Sequence, residues 1–94
     1  MKDTEELIKN LKHKDSSVRQ HTIEMLGIIG DEKAVDALII VLKDKDRFVR
    51  QEAIVTLGKI GDGRIIEPLT QALIGEKNEF VQDTIKKVLE RLRK

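Results

Sequence analysis

The stretches DSSVRQHTIEMLGIIGD at Asp15–Asp31 and DRFVRQEAIVTLGKIGD at Asp46–Asp62 follow one pattern, 31 residues apart. When residues 11–41 are aligned with residues 42–72 without a gap, 14 of the 31 positions are identical. Unrelated segments share far fewer. Self-similarity at a fixed period of this length is typical of repeat architectures, so the pattern indicates a chain built from internal repeats.

A third, partial copy of the pattern begins at residue 73 and carries a one-residue insertion, which places Asn78 over Asp46. The residues before Leu11 match the second half of a unit. With 94 residues there is room for a single domain. We divide it into a half repeat at residues 1–10, two repeats at residues 11–41 and 42–72, and a partial repeat at residues 73–94.

Each unit is predicted to form two helices. The first begins after Asp15 or Asp46, whose carboxylates can accept the free N–H groups of the first turn. Its apolar residues recur on one helical face. That face consists of Val18, Thr22, Leu26 and Ile29 in one unit, and of Val49, Ala53, Leu57 and Ile60 in the next. The second helix is expected to be capped by Asp31 or Asp62.

Two glycines stand three residues apart near the end of each first helix. Gly30 and Gly61 follow the last apolar residue, where a left-handed residue commonly ends a helix. Gly27 and Gly58 lie inside the helix, where glycine costs about 1 kcal/mol relative to alanine. We therefore expect Gly30 and Gly61 to turn the chain, and Gly27 and Gly58 to allow close approach of a neighbouring backbone.

The pattern predicts six helices and no strand, at residues 3–12, 16–29, 33–43, 47–60, 64–74 and 79–93. We call the first helix of a unit A-type (16–29, 47–60, 79–93) and the second B-type (3–12, 33–43, 64–74). One helix pair of this size cannot bury its apolar face alone, so stacked neighbours must supply the core. The predicted fold class is all-α, a solenoid of stacked antiparallel helix pairs.

The motif D-x-x-V-R-x-x-A/T-I-x-x-L-G-x-I-G-D resembles the short HEAT-like repeats, which are related in architecture to armadillo repeats. The stretches at residues 34–38 and 65–69 extend the resemblance. It implies a right-handed superhelix whose B-type helices line the concave side. Members of this family include scaffolds, bilin-chromophore lyase subunits, a diiron hydroxylase and DNA-repair proteins, so the fold alone does not decide the function.

Arg19 and Arg50 stand at equivalent positions of the A-type helices. In HEAT-like stacks the matching arginine usually reaches an aspartate in the adjoining turn or repeat. The resemblance therefore implies a partner among four aspartates: Asp31, Asp62, Asp15 and Asp46. The third copy has Gln82 at the arginine position, so we expect this ladder of ion pairs to end there.

The residues do not fit a metal or catalytic site. A diiron site would need His-Glu pairs after the V-R dipeptide, converging from facing helices, but these slots read Gln20-His21 and Gln51-Glu52. His13 stands between two lysines, which disfavour metal binding, and His21 is expected on a solvated helix face. We predict no catalytic residue, no cofactor and no metal.

Composition excludes several function classes. With 18 basic and 17 acidic residues, the net charge of +1 gives no general attraction to nucleic acids or anionic membranes. Two phenylalanines are the only aromatic residues, too few for stacking bases, and the absence of cysteine removes disulfides and thiolate zinc sites. The first ten residues contain no apolar signal segment, so we expect a cytoplasmic protein. The Lys, Glu and Ile bias suits a thermophile.

One column of the B-type helices stands out because it is not committed to the apolar face. It consists of Glu5, Lys9 and Lys12, then Asp36, Ile40 and Lys43, then Glu67, Gln71 and Ile74. Its acidic position repeats in all three helices. Solvated helix faces would account for the column. The sharper hypothesis is a concave partner-binding surface with Ile40 and Ile74 as apolar anchors, since large aliphatic residues near charges are typical of interfaces.

The sequence thus favours a non-catalytic protein–protein interaction or scaffold module with a protein partner. One alternative is an accessory subunit of a bilin-lyase-type enzyme. Another is nucleic-acid binding, which would need a continuous basic concave face where Glu5, Asp36 and Glu67 bring negative charge. A stack this short has a large share of end surface, and uncovered apolar ends favour a homodimer.

Overall fold

The computed structural model describes residues 3–93, which form six α-helices. They are α1 (Thr4–Asn10), α2 (Ser16–Ile29), α3 (Val35–Val41), α4 (Arg47–Ile60), α5 (Ile66–Gly75) and α6 (Glu79–Leu92). Short 3₁₀ turns at Glu32–Ala34 and Gly63–Ile65 lead into α3 and α5. Within residues 3–93 there is no strand, and the predicted all-α class is confirmed.

The A-type helices α2 and α4 have the predicted bounds, and α6 ends one residue early. The B-type helices are shorter than predicted. Beyond Asn10 the chain tightens, because the N–H groups of Leu11 and Lys12 bond to carbonyls only three residues back. The predicted starts at residues 33 and 64 fall in the 3₁₀ turns, and Pro68 lies in the first turn of α5, where its missing N–H costs nothing.

Asp15 and Asp46 cap α2 and α4 as predicted. The Asp15 carboxylate accepts the Ser17 N–H at 2.8 Å, and that of Asp46 accepts the Phe48 N–H at 2.8 Å. Asp31 and Asp62 cap the 3₁₀ turns and not α3 and α5 as predicted, because those turns precede the two helices. Each carboxylate satisfies an N–H group that has no partner inside its own helix or turn.

Gly30 and Gly61 end their helices by different means. Gly30 has φ 71°, the left-handed conformation predicted for it. The same prediction is wrong for Gly61, whose φ of −83° and ψ of 172° are extended. A Cβ at Gly61 would lie 2.6 Å from both the Leu57 carbonyl oxygen and Ile65 Cγ2, so space and not backbone conformation requires glycine there.

Gly27 and Gly58 mark the contacts between neighbouring A-type helices. A Cβ at Gly27 would lie 3.2 Å from Thr56 Cγ2, and one at Gly58 would lie 3.2 Å from Val88 Cγ1. The predicted close approach is therefore confirmed. The approaching groups are side chains of the next A-type helix, however, and not its backbone as expected.

The six helices stack as a solenoid of helix pairs. The A-type helices α2, α4 and α6 lie side by side, and each B-type helix packs on the A-type helix that follows it. The shortest extent of the molecule is 16 Å, which fits two helix layers with axes about 10 Å apart. Fully buried aliphatic side chains fill the space between the layers: Ile23, Leu26, Val35, Leu38, Val49, Ile54, Leu57, Ile65, Leu69 and Ile85.

The predicted apolar face of α2 needs a correction. Thr22 and Leu26 are buried, but Ile29 is 45% exposed, and Arg19 and Ile23 are buried in addition. Ile29 remains exposed because, within residues 3–93, no A-type helix precedes α2 to cover it.

Candidate functional site

The nine predicted partner-binding residues all have exposed side chains. They lie on α1, α3 and α5 or in the turns that end them: Glu5, Lys9, Lys12, Asp36, Ile40, Lys43, Glu67, Gln71 and Ile74. Ile40 is 73% exposed and Ile74 is 76% exposed, which is unusual for large aliphatic side chains. The structure thus leaves all nine side chains accessible, and we call the surface of these residues the B-type face.

An open groove of about 640 Å³ lies between α3 and α5 on this side of the molecule. Its apolar lining consists of Ile39, Leu42, Pro68 and Ala72. Lys43 and Gln71, two of the nine residues, line it as well, whereas Ile40 and Ile74 lie on the same two helices outside the lining. Asp44, Arg50 and Glu76 also line the groove.

Arg19 joins two successive inter-helix loops. Its Nε and Nη2 donate to the two carboxylate oxygens of Asp44 at 2.8 and 3.0 Å, and its Nη1 donates to the carbonyls of His13 and Lys14. Burial alone would raise the pKa of Asp44, but the Arg19 hydrogen bonds and charge lower it on balance. The same pairing raises the pKa of Arg19. The pair is therefore held in its ionised form.

Arg50 repeats this arrangement one unit later. Its Nε and Nη2 donate to the Glu76 carboxylate at 2.8 and 3.0 Å, and its Nη1 donates to the Asp44 carbonyl at 2.8 Å. Burial would raise the pKa of Glu76, yet the hydrogen bond from Arg50 lowers it overall. The two arginines form a ladder that fixes each loop to the next.

The predicted partners of this ladder are wrong. Asp15, Asp31, Asp46 and Asp62 cap helical segments, while the arginines reach Asp44 and Glu76 instead. These partners lie in the loops that lead into the A-type helices α4 and α6.

A signal for the correct partners is present in the repeat register. His13, Asp44 and Glu76 occupy one position once the single insertion is counted. Each also accepts the backbone N–H two residues on, through Nδ1 in His13 and a carboxylate oxygen in the others. Gln82, at the predicted end of the ladder, forms no ion pair but donates to the Glu76 carbonyl at 2.6 Å, as the arginines do to theirs.

The arginine ladder determines which charged groups at the groove remain outside an ion pair. Asp44 and Glu76 are neutralised by their arginines, whereas Lys43 and Lys77 line the groove without a carboxylate partner in the described part of the chain. The acidic residues of the column lie near the helix starts, where their negative charge also interacts favourably with the helix dipole. The B-type face thus carries acidic residues near the helix starts and Lys12 and Lys43 near the helix ends. Ile40 lies between these positions in α3, and Ile74 takes the repeat position of Lys12 and Lys43 in α5.

The sequence pattern of the HEAT repeats matches residues 4–90 of this chain, nearly its whole length. The chain belongs to the HEAT repeat family. HEAT repeats generally mediate protein–protein interaction and are typically non-catalytic scaffolds. Comparison with curated proteins finds no match. The surface of this HEAT repeat domain must therefore indicate what it binds.

The two phenylalanines of the HEAT repeat domain form a feature that the sequence patterns did not single out. Phe48 and Phe80 are 57% and 81% exposed and line a groove of about 240 Å³ between the starts of α4 and α6. The Arg47 guanidinium lies 4.9 Å from the centre of the Phe48 ring, within cation–π range. Their shared repeat position, 32 residues apart across the insertion, is the signal that could have found them.

The remaining candidate residues are the two histidines. His13 Nδ1 accepts the Asp15 N–H at 3.0 Å, and His21 is exposed on α2. Among residues 3–93, no group of three or more His, Cys, Asp or Glu side chains is placed to hold a metal ion. No helix in the same range is long and apolar enough to cross a membrane.

Proposed function

We propose that this HEAT repeat domain is a non-catalytic interaction module that binds a protein partner on its B-type face. The observation that carries the proposal is the exposure of Ile40 and Ile74 on the two helices that border the open groove. Large aliphatic side chains gain free energy when a partner removes them from water, at about 25 cal/mol per Å² of apolar surface. Their contiguity with charged neighbours is typical of interface cores with polar rims.

The groove indicates the chemistry of the partner segment. Ile39, Leu42, Pro68 and Ala72 offer an apolar surface, and Lys43 and Lys77 add positive charge beside it. An apolar side chain flanked by a carboxylate would complement both features. Nucleic acid fits this face less well, because Glu5, Asp36 and Glu67 would repel phosphates along its other edge.

The proposal is tested by placing a charge at each anchor. We expect Ile40→Glu and Ile74→Glu to abolish capture of the partner, since a carboxylate buried without a cation is strongly unfavourable. Tagged wild-type and variant domains are incubated with lysate of the source organism, and captured proteins are quantified by mass spectrometry. Both side chains are mostly exposed, so circular dichroism should show unchanged folding.

Phe80→Glu is the matched control, because Phe80 is also a large apolar side chain, 81% exposed, but lies on α6 and does not line the groove. Proteins captured by wild type and by the control, but lost with both B-face variants, would support the proposal. Equal capture by all variants, with the fold intact, would contradict it. Retention of nucleic acid that falls steeply with added salt would also contradict it, in favour of a phosphate-binding role.

A further inference from the structure

The repeat register identifies which side of an A-type helix faces its predecessor. Thr56 and Val88 occupy one repeat position and approach Gly27 of α2 and Gly58 of α4. Ile60 also faces backward, since its Cγ2 lies 4.0 Å from the place where a Cβ of Gly30 would be. These positions form the surface by which α4 and α6 pack on the A-type helix before them.

On α2 the same positions are occupied by Met25 and Ile29, and no A-type helix precedes them in the described chain, so Met25 is only partly buried and Ile29 is 45% exposed. Val18 shows the consequence, because it is only partly buried, whereas its equivalents Val49 and Val81 are fully buried. Ile28 adds a further apolar side chain, 73% exposed, where α4 has Lys59. We call Val18, Met25, Ile28 and Ile29 the α2 end face.

The opposite end of the stack is charged. The surface that each A-type helix turns to its successor contains Ile23 and Gly27 in α2, and Ile54 and Gly58 in α4. In α6 the corresponding residues are Lys86 and Glu90, and both are exposed. If this charged end packed on the α2 end face of another copy, unpaired charges would be buried against isoleucines and a methionine. Head-to-tail stacking of copies is therefore disfavoured.

The α2 end face is complementary to itself. At its B-type edge, α1 carries Glu6 and Lys9 at the positions where α5 has Pro68 and Gln71, which line the groove toward α3. Glu6 and Lys9 are exposed, opposite in charge and nearly one turn apart. Across a two-fold axis each can pair with the other residue of a second copy, while the apolar residues meet each other.

We propose that the α2 end face is the interface through which two copies of this chain form a two-fold symmetric homodimer. The arrangement buries apolar residues against apolar residues, pairs the flanking charges, and leaves the charged α6 ends outermost. Of the B-type face it uses only Lys9, so a dimer leaves Ile40, Ile74 and the groove between α3 and α5 free in both copies.

Sedimentation velocity over a range of concentrations tests the proposal. The wild type should change with concentration from the 10.7 kDa monomer to a species of twice that mass. Ile28→Lys, which copies the residue of α4, should raise the dimer dissociation constant by about tenfold or more, because an ammonium group would enter the apolar contact. Ile40→Lys is the matched control, since Ile40 is equally exposed on another face, and it should leave dimerisation unchanged.

Cysteine crosslinking tests the symmetry, and the absence of cysteine from the chain makes single-cysteine variants unambiguous. Ile28→Cys should crosslink to itself under a short bis-maleimide reagent, whereas Glu90→Cys should not. A monomer at all concentrations, its α2 end face covered by another protein or by none, would overturn the proposal. So would preferential crosslinking between Ile28→Cys and Glu90→Cys, which indicates head-to-tail stacking. Neither result concerns partner capture by the B-type face, which is measured with different variants.

Discussion

At the scale of single residues, each ladder arginine makes two contacts that no shorter side chain could combine. Arg50 donates to the carbonyl of Asp44 in one loop and to the carboxylate of Glu76 in the next. The Glu76 side chain is only 6% exposed, so its charge depends on this partner. The planar guanidinium suits the bidentate geometry, which a lysine could not reproduce.

Removal of the arginine should therefore cost more than an ordinary ion pair. We expect Arg50→Ala to lower the free energy of unfolding by about 3 kcal/mol, because it leaves an ionised carboxylate buried without a cation. Urea denaturation followed by circular dichroism measures the change. The double variant Arg50→Ala with Glu76→Ala should lose less than the sum of the two single variants.

Arg64→Ala supplies the matched comparison, since Arg64 pairs with Asp62 at 3.1 Å and both side chains are more than half exposed. Its removal should change the free energy of unfolding by less than about 1 kcal/mol. Equal losses from Arg50→Ala and Arg64→Ala would show that burial of the ladder contributes nothing.

At the scale of helices, the contacts between neighbouring A-type helices depend on small residues. Gly27 and Gly58 keep their helices close enough for Thr56 and Val88 to fit against them. The cost of glycine inside a helix is repeated at both contacts, which indicates that the packing gain is larger. Gly27 and Gly58 are thus a feature of helix packing.

A large side chain at this contact should force the helices apart. We expect Gly27→Leu to lower the free energy of unfolding by about 3 kcal/mol, the upper end of the range for overpacked cores. The melting temperature and the urea midpoint both measure this loss. Gly75→Leu is the control, because a Cβ at Gly75 would meet no atom within 4 Å. An unchanged melting temperature for Gly27→Leu would refute the close-packing role.

At the scale of the whole molecule, ionised carboxylates link the helices and loops. The pKa values of Asp15, Asp31 and Asp62 are lowered chiefly by hydrogen bonds from Ser17, from the Lys33 N–H and from the Arg64 N–H. Those of Asp44 and Glu76 are lowered by their arginines, against the opposing effect of burial. All five groups therefore bind protons less readily in the folded chain than in the unfolded chain.

This difference predicts loss of stability in acid. Each lowered pKa contributes stability that is complete above the ordinary values of 3.8 for Asp and 4.5 for Glu, where both states are ionised. As the pH falls below these values the unfolded chain takes up protons first, so the free energy of unfolding declines until the folded carboxylates are protonated too. Thermal melts between neutral and acid pH measure the decline.

Glu76→Gln, which cannot ionise at that position, should show a shallower decline than wild type. A melting temperature that stays constant through the acid range would contradict the proposed linkage.

From the sequence, helices and their ends could be predicted because their causes are local. Caps, apolar periodicity and glycine positions act within one or two turns, and the bounds of α2 and α4 followed from them. The repeat added the stacking of helix pairs, since each unit alone cannot bury its apolar face. The exposure of the B-type face could also be predicted, because its residues do not lie on the apolar faces of their helices. What this face binds stays a proposal.

Tertiary structure alone decided which distant groups meet. Arg19 and Asp44 are 25 residues apart, and the family resemblance favoured the capping aspartates over the loop residue that the stack brings near. The uncovered α2 end face is a second example, because periodicity marks Ile29 as apolar without showing whether a neighbour covers it. Local rules act through the helix backbone, whereas partner choice depends on how separate loops and faces are brought together in space.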